Sequence, residues 1–233
     1  MNRQIICALD TADQNEAIEI TKKLAAHVGA FKIGHALTLN HGLDVIDRLR
    51  DAGASRIFLD LKFHDIPNSV ALAVRQAAKR GVWMMTLHIS GGPAMLTAAA
   101  EEAAIYPEPT RPILVGVSVL TSLDQRTLTD HLGIQRTIED HMVYMSDLAL
   151  DCDLDGVVCS AHEIKAIRAK IKHRGIIVTP GIRLPNSDAH DQHRIGDACT
   201  ALTDGADYLV IGRALIQSEN VITTLADFGL VHA

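Results

Sequence analysis

The chain has 233 residues, 48% of them hydrophobic and 21% charged, with a formal net charge of -6. Such a composition supports a sizeable globular core, and its acidic balance argues against nonspecific nucleic-acid binding, which needs basic clusters to neutralise phosphates. No apolar run reaches the roughly 18 residues that a membrane span requires.

In chain order, short apolar runs fall at 5–9 (IICAL), 31–34, 56–61, 82–88, 113–120, 156–160, 176–181 and 208–212 (YLVIG). Most are continuously hydrophobic rather than alternating, as parallel strands covered on both faces are. Helix signals fill the intervals. Asp13 and Glu16 predict a capping box ahead of an apolar stripe at Ala17, Ile20, Leu24 and Val28. Leu43, Ile46 and Leu49 form a second stripe, and Pro67 opens a third at Val70, Val74 and Ala77. Ser160 and Glu163 predict another box after the sixth run. The breaks AGAS (52–55) and DGAD (204–207) precede strands three and eight. Eight β-then-α units predict one (β/α)8 barrel over residues 1–233. A doubly wound sheet is the alternative, but the first turn, LDTAD, lacks GxGxxG. The polar stretches 121–138 and 183–194 follow strand ends, so a barrel places them on its C-terminal face.

Cys7, Cys152, Cys159 and Cys199 form no CxxC pair, and the chain opens in strand-like sequence without a targeting segment. Both features predict reduced thiols and a cytoplasmic protein.

A barrel enzyme should gather polar residues at the C-terminal ends of several strands. Asp10, Lys32, Asp60, Lys62, His88, Thr121, Arg183, Gly212 and Arg213 stand at or near such ends, with Asp65 just beyond the third. Asp60 and Lys62 are two apart, so on a strand they share a face. Carboxylates beside Lys62 favour its ammonium form, which suits a proton donor or an electrostatic anchor better than a Schiff-base nucleophile. The bland alternative is an ion-pair network closing the barrel end, with His88 a satisfied rim histidine. No HExxH or other close metal spacing occurs among the histidines. The loops TPGIR (179–183) and IGR (211–213) offer glycine N–H groups and arginine forks, which suit a phosphate.

The segment LDLKFHDIPNS (59–69) resembles the signature of the bacterial-type orotidine 5'-phosphate decarboxylase family, most specifically in Asp60-x-Lys62-x-x-Asp65-Ile66-Pro67. The resemblance extends through ALD (8–10), KIG (32–34), LHISGG (87–92), SVLTS (118–122), TPGIR (179–183), DQHR (191–194) and ADYLVIGR (206–213). It implies a phosphate-binding barrel that converts orotidine 5'-monophosphate to uridine 5'-monophosphate and CO2, with no metal or organic cofactor. It also implies a homodimer in which Asp65 is donated across the interface. On this resemblance Lys62 protonates C6 of the pyrimidine, Asp60 sits by the departing carboxylate, and Asp65 and Lys32 complete the charged array. Asp10 and Lys32 meet the ribose. Ser118 lies near the pyrimidine edge, and Thr121 belongs to the ligand-binding set. Arg183, Gln192, Gly212 and Arg213 gather the phosphate. Ser69 stands where the family usually has threonine, Ala189-His190 where Gly-Asp is typical, and Ala214 where proline is common. A related metal-dependent barrel shares DxKxxD but would present a glutamate ligand on strand two, where this chain has Lys32. A nonenzymatic phosphate-ligand barrel is a rival of a different class, although binding alone does not call for a lysine set among carboxylates.

Overall fold

Continuous apolar runs give each strand two buried faces. In β1 (Asn2–Leu9), Ile6 and Ala8 join an inner cluster while Ile5, Cys7 and Leu9 join an outer one. The same alternation holds around the sheet, so one run supplies both the barrel plug and the sheath under the helices. The computed structural model describes residues 2–183 and 196–230. Among these, β1 is followed by β2 (Val28–Ile33), β3 (Ile57–Phe63), β4 (Met84–His88), β5 (Ile113–Val117), β6 (Gly156–Val158), β7 (Ile176–Thr179) and β8 (Tyr208–Ile211). Each strand pairs in parallel with the next, and β8 returns to β1, closing the barrel. The predicted (β/α)8 architecture is therefore the observed one.

The helices are α1 (Gln14–Leu24), α2 (His35–His41), α3 (Val45–Asp51), α4 (Pro67–Lys79), α5 (Gly92–Ala104), α6 (Ile138–Asp151), α7 (Ile164–Ile171), α8 (Ala198–Asp204), α9 (Arg213–Ile216) and α10 (Val221–Asp227). Their apolar stripes face the sheath: Ala17, Ile20 and Leu24 on α1, and Val70, Val74 and Ala77 on α4. No helix among the described residues is long and apolar enough to cross a membrane.

Several local signals take a different form in the structure. Asp13 does cap α1, accepting from the N–H groups of Asn15 and Glu16. Glu16 does not complete the box; its carboxylate accepts from the Thr11 hydroxyl, while the Asp13 N–H donates to the same hydroxyl. Val28 is not on the α1 stripe but opens β2, because the chain reverses after Leu24. Ser160 donates to the Glu163 carboxylate, yet the cap of α7 is Glu163 itself, so the box starts a turn rather than the helix. The polar stretch 121–138 carries a π-helical turn at Thr127–His131. Residues 184–195, most of the second polar stretch, lie outside the described residues.

The N-terminal end of the barrel is shut. Trp83 and Tyr208 meet edge-on with ring centroids 5.3 Å apart, and the Arg56 guanidinium lies 4.3 Å from the Trp83 centroid. Arg56 also donates to the carbonyl of Gly29. The inner cluster of Ile6, Ala8, Ala30, Phe58, Met84, Val115, Val178 and Val210 fills the middle. Only the C-terminal mouth is left for polar chemistry. All four cysteines are free thiols; burial, aided by Asp10 and opposed by Lys32, pushes the Cys7 thiol up to about 12 and leaves it inert.

Candidate active site

Asp60 reaches the mouth by strand parity, two residues after the inward Phe58. Lys62 reaches it differently. Leu59 lies opposite Met85 and Phe63 opposite Leu87, so residues 60–62 of β3 are spanned by the single residue Thr86 of β4. Lys62 absorbs the extra length with φ 51°, in the left-handed region. Such a conformation costs a non-glycine residue about 1–3 kcal/mol and persists only where surrounding contacts hold it. Here the Lys62 N–H donates to Thr86 Oγ1 at 2.8 Å.

The side chains then form a line of alternating charge. Lys62 Nζ is 2.9 Å from Asp60 Oδ1; Lys32 Nζ is 3.3 Å from Asp60 Oδ2 and 3.3 Å from Asp10 Oδ1. Thr86 Oγ1 donates to Asp60 Oδ1 at 2.9 Å. Side-chain exposure falls from 65% at Asp10 to 13% at Lys32 and 14% at Asp60, then rises to 29% at Lys62. Burial favours the neutral form of Asp60, but the ammonium groups of Lys32 and Lys62 and the Thr86 hydroxyl outweigh it and hold its carboxyl below the ordinary range. Burial likewise opposes charge on Lys32, and Asp60 and Asp10 outweigh it, raising its pKa above the usual lysine value. Both interior groups stay ionised because each is the other's counter-ion. Removing one partner from such a buried pair costs about 3–5 kcal/mol.

His88 ends β4 with its ring 5.5 Å from that of His64. Burial, then the charges of His64 and Lys62, push its pKa down despite Asp60.

Asp10, Lys32, Asp60, Lys62 and Thr86 line a cavity of about 240 Å³ at the mouth. Val117, Val119, Val158 and Val178 supply an apolar wall, with Thr121 at its rim. Gly181, Arg183, Gly212 and Arg213 line the same cavity, with Gly212 next to Asp10. Burial, reinforced by the Arg213 charge and only partly offset by Asp10, lowers the pKa of Arg183. Its Nε is buried with no hydrogen-bond partner among the described residues. Two cations that press on each other, one with an unused buried donor, make a site that an anion would relieve.

Asp10, Lys32, Asp60, Lys62, Thr121, Arg183, Gly212 and Arg213 thus converge as the sequence predicted. His88 and three other candidates do not line the cavity. Ser118 is half-buried just past β5, Ser69 is half-buried on α4, and Asp65 is exposed with its carboxylate accepting from the Ile66 N–H at 2.6 Å. Gln192 lies outside the described residues. Sequence reading missed Thr86, which is 1% exposed and lines the cavity. Parity could have found it: Met84 faces inward, so Thr86 does too. Among the described residues no group of three or more His, Cys, Asp or Glu side chains is placed to hold a metal ion.

Residues 3–228 match the profile of the orotidine 5'-phosphate decarboxylase / HUMPS family. The chain belongs to that family. Its curated relatives include an orotidine 5'-phosphate decarboxylase of Pseudoalteromonas translucida (strain TAC 125), 42% identical over 226 residues, covering 97% of this chain and 95% of the relative. One from Marinomonas sp. (strain MWYL1) is 42% identical over 231 residues, covering 97% of each chain. Among solved structures, orotidine 5'-phosphate decarboxylase from Lactobacillus acidophilus superposes with a TM-score of 0.84 at 30% identity over 97% of both chains. Of the Asp60-x-Lys62-x-x-Asp65 signature, Asp60 and Lys62 line the cavity, and the loops after β7 and β8 bring Arg183 and Arg213 to it.

Proposed function

We propose that this protein decarboxylates orotidine 5'-monophosphate to uridine 5'-monophosphate and CO2, the last step of de novo UMP synthesis, without metal or organic cofactor. The observation that carries this reading is that the alternating line Asp10, Lys32, Asp60, Lys62 shares one cavity with Arg183 and Arg213. A nucleotide with a phosphate at one end and a carboxylated ring at the other meets both sets of groups.

The phosphate binds Arg183 and Arg213, supported by the backbone at Gly212, with Gln192 in the same ligand set. Asp10 and Lys32 take the ribose hydroxyls, Ser118 serves the pyrimidine edge, and Thr121 joins the ligand-binding set. The carboxylate on C6 then lies beside Asp60, which its neighbours keep ionised. Breaking the bond from C6 to the carboxylate releases CO2 and leaves the electron pair on C6. That charge is poorly delocalised, so an ammonium fixed nearby stabilises the transition state more than the substrate. Lys62 donates its proton to C6, and the resulting amine regains a proton from solvent. Binding energy from the distant phosphate offsets the repulsion between Asp60 and the substrate carboxylate. A divalent cation at Asp60 would meet two ammonium groups, which supports a metal-free reaction.

In this reading the whole chain is one catalytic barrel, cytoplasmic and homodimeric. Asp65 reaches the partner's site, and Ser69 serves the substrate from the start of α4. Asp65 and its neighbour Ile66, 67% exposed, lie at the rim where a partner would cover them. The test is the loss of orotate-ring absorbance when purified protein meets orotidine 5'-monophosphate in excess EDTA, with uridine 5'-monophosphate as product. Unchanged absorbance removes the assignment. Activity lost to EDTA and restored by magnesium removes its metal-free part.

A further inference from the structure

We propose that Thr86 is a positioning residue: its hydroxyl holds Lys62 in the left-handed backbone conformation and turns the Asp60 carboxylate toward the Lys62 ammonium. The catalytic meaning of this rests on the decarboxylase reading above; the geometry does not.

The register supplies the first reason. In a regular parallel ladder each N–H aimed at a neighbouring strand donates to a carbonyl of that strand. The irregularity between Leu59 and Phe63 breaks that ladder where Lys62 needs it. Thr86 Oγ1 takes the place of the missing carbonyl, accepting the Lys62 N–H at 2.8 Å. A backbone N–H only donates, so the hydroxyl must accept there and has its own proton left to give. That proton goes to Asp60 Oδ1 at 2.9 Å, which settles the direction of both bonds.

The second reason is closure. Lys62 N–H, Thr86 Oγ1, Asp60 Oδ1 and Lys62 Nζ form a ring of contacts that begins and ends on the same lysine. Asp60 Oδ2 faces Lys32, so each carboxylate oxygen has an assigned neighbour and rotation breaks at least two contacts. Thr86 is 1% exposed, leaving little room for water to replace its hydroxyl. Valine matches its shape but neither accepts from Lys62 nor donates to Asp60. Serine does both.

The test compares wild type, Thr86→Val and Thr86→Ser in steady-state decarboxylation of orotidine 5'-monophosphate, with crystal structures of each. Thr86→Val should lower kcat about tenfold to 100-fold, the range that a displaced catalytic group produces, because the relaxed backbone carries the ammonium away from its place. KM should change by less than about threefold, since phosphate and ribose are held elsewhere. Thr86→Ser should recover to within about threefold of wild type. In the valine variant Lys62 should return to negative φ. If that variant does not fold, Thr86→Ala against Thr86→Ser isolates the same oxygen. The proposal is overturned by a hydroxyl-free variant with kcat within about twofold of wild type, or by a serine variant as impaired as the hydroxyl-free one. It is also overturned by a rise in KM that accounts for the whole loss, or by Lys62 keeping both φ near 51° and its contact with Asp60 without the hydroxyl. Wild-type protein inert toward the nucleotide would instead remove the decarboxylase reading, and the Lys62 conformation in the variant would still decide the role of Thr86.

Discussion

Lys62 combines three properties that rarely meet in one residue: a left-handed backbone, a half-buried ammonium and a carboxylate 2.9 Å away. Each has an identifiable cause in its neighbours. The bulge in β3 turns the backbone, Thr86 holds it, and Asp60 fixes the head group. If the ammonium stabilises charge on C6 and then protonates it, its loss acts on the chemical step. Lys62→Ala should therefore lower kcat about 1000-fold or more, since donor and electrostatic roles disappear together. The KM for orotidine 5'-monophosphate should move far less, by under about tenfold. Single-turnover measurement separates the two effects. A variant retaining kcat within about tenfold of wild type would take the proton-donor role away from Lys62.

At the level of elements, the segment between β5 and α6 carries Thr121 to the cavity and must be anchored at its far end. Thr137 caps α6, accepting from the Asp140 N–H, and the Gln125 side chain bridges to the backbone of Arg136 and Ile138. Arg136 lies 4.2 Å from the Tyr144 ring centroid, and Tyr144 stacks on His141 with centroids 6.4 Å apart. His141 is buried, and its Nδ1 has no partner among the described residues. Burial, then the Arg136 charge, pushes its pKa below the ordinary value of 6.5. In the window beneath 6.5 and above the lowered value, the unfolded chain binds a proton that the folded one excludes, so stability falls as pH falls. His141→Phe keeps a ring against Tyr144 and removes that proton. The Tm of this variant minus that of wild type should increase between pH 7.5 and pH 5.5 in thermal scans, both values chosen as about one unit either side of the ordinary histidine pKa. A constant difference would mean that His141 does not contribute to the acid-side loss. The lowered pKa of His88 is common to both proteins and cancels in the comparison.

At the scale of the whole molecule, the proposed donation of Asp65 from a partner subunit can be tested. Asp65 belongs to the family signature, yet within one chain it is exposed and outside the cavity lining. Partner donation makes a prediction that no single-chain mutation can make. Asp65→Ala and Lys62→Ala proteins, each nearly inactive alone, should regain activity on mixing because hybrid dimers contain one site with both residues intact. Random reassortment places half of the protein in hybrids, and each hybrid has one good site of two, so recovery should approach about a quarter of wild-type activity per chain. Native mass spectrometry verifies the exchange. Verified hybrids without regained activity would exclude the shared site.

The continuous apolar runs determined a parallel sheet covered on both faces, because such strands leave no room for the alternation of a half-exposed sheet, and the count of eight β-then-α units with no GxGxxG turn pointed to the barrel. Strand-end position was likewise enough to select Asp10, Lys32, Asp60, Lys62, Arg183 and Arg213, since a closed barrel brings the ends of distant strands to one rim. Parity also placed Asp60 and Lys62 on one face, but it carried no sign of how Lys62 gets there. That depended on a register irregularity between β3 and β4, a property of two strands 24 residues apart at the Lys62–Thr86 contact, and therefore of no local pattern. Parity could place Thr86 on the inward face, but its role was hidden for the same reason: threonine is an ordinary strand residue, and only a missing ladder carbonyl opposite it turns its hydroxyl into a fixture of the site. Residue chemistry and periodicity set which groups could meet. Distances, burial and the hydrogen-bond directions that keep each charge in place arose only when the strands closed on one another.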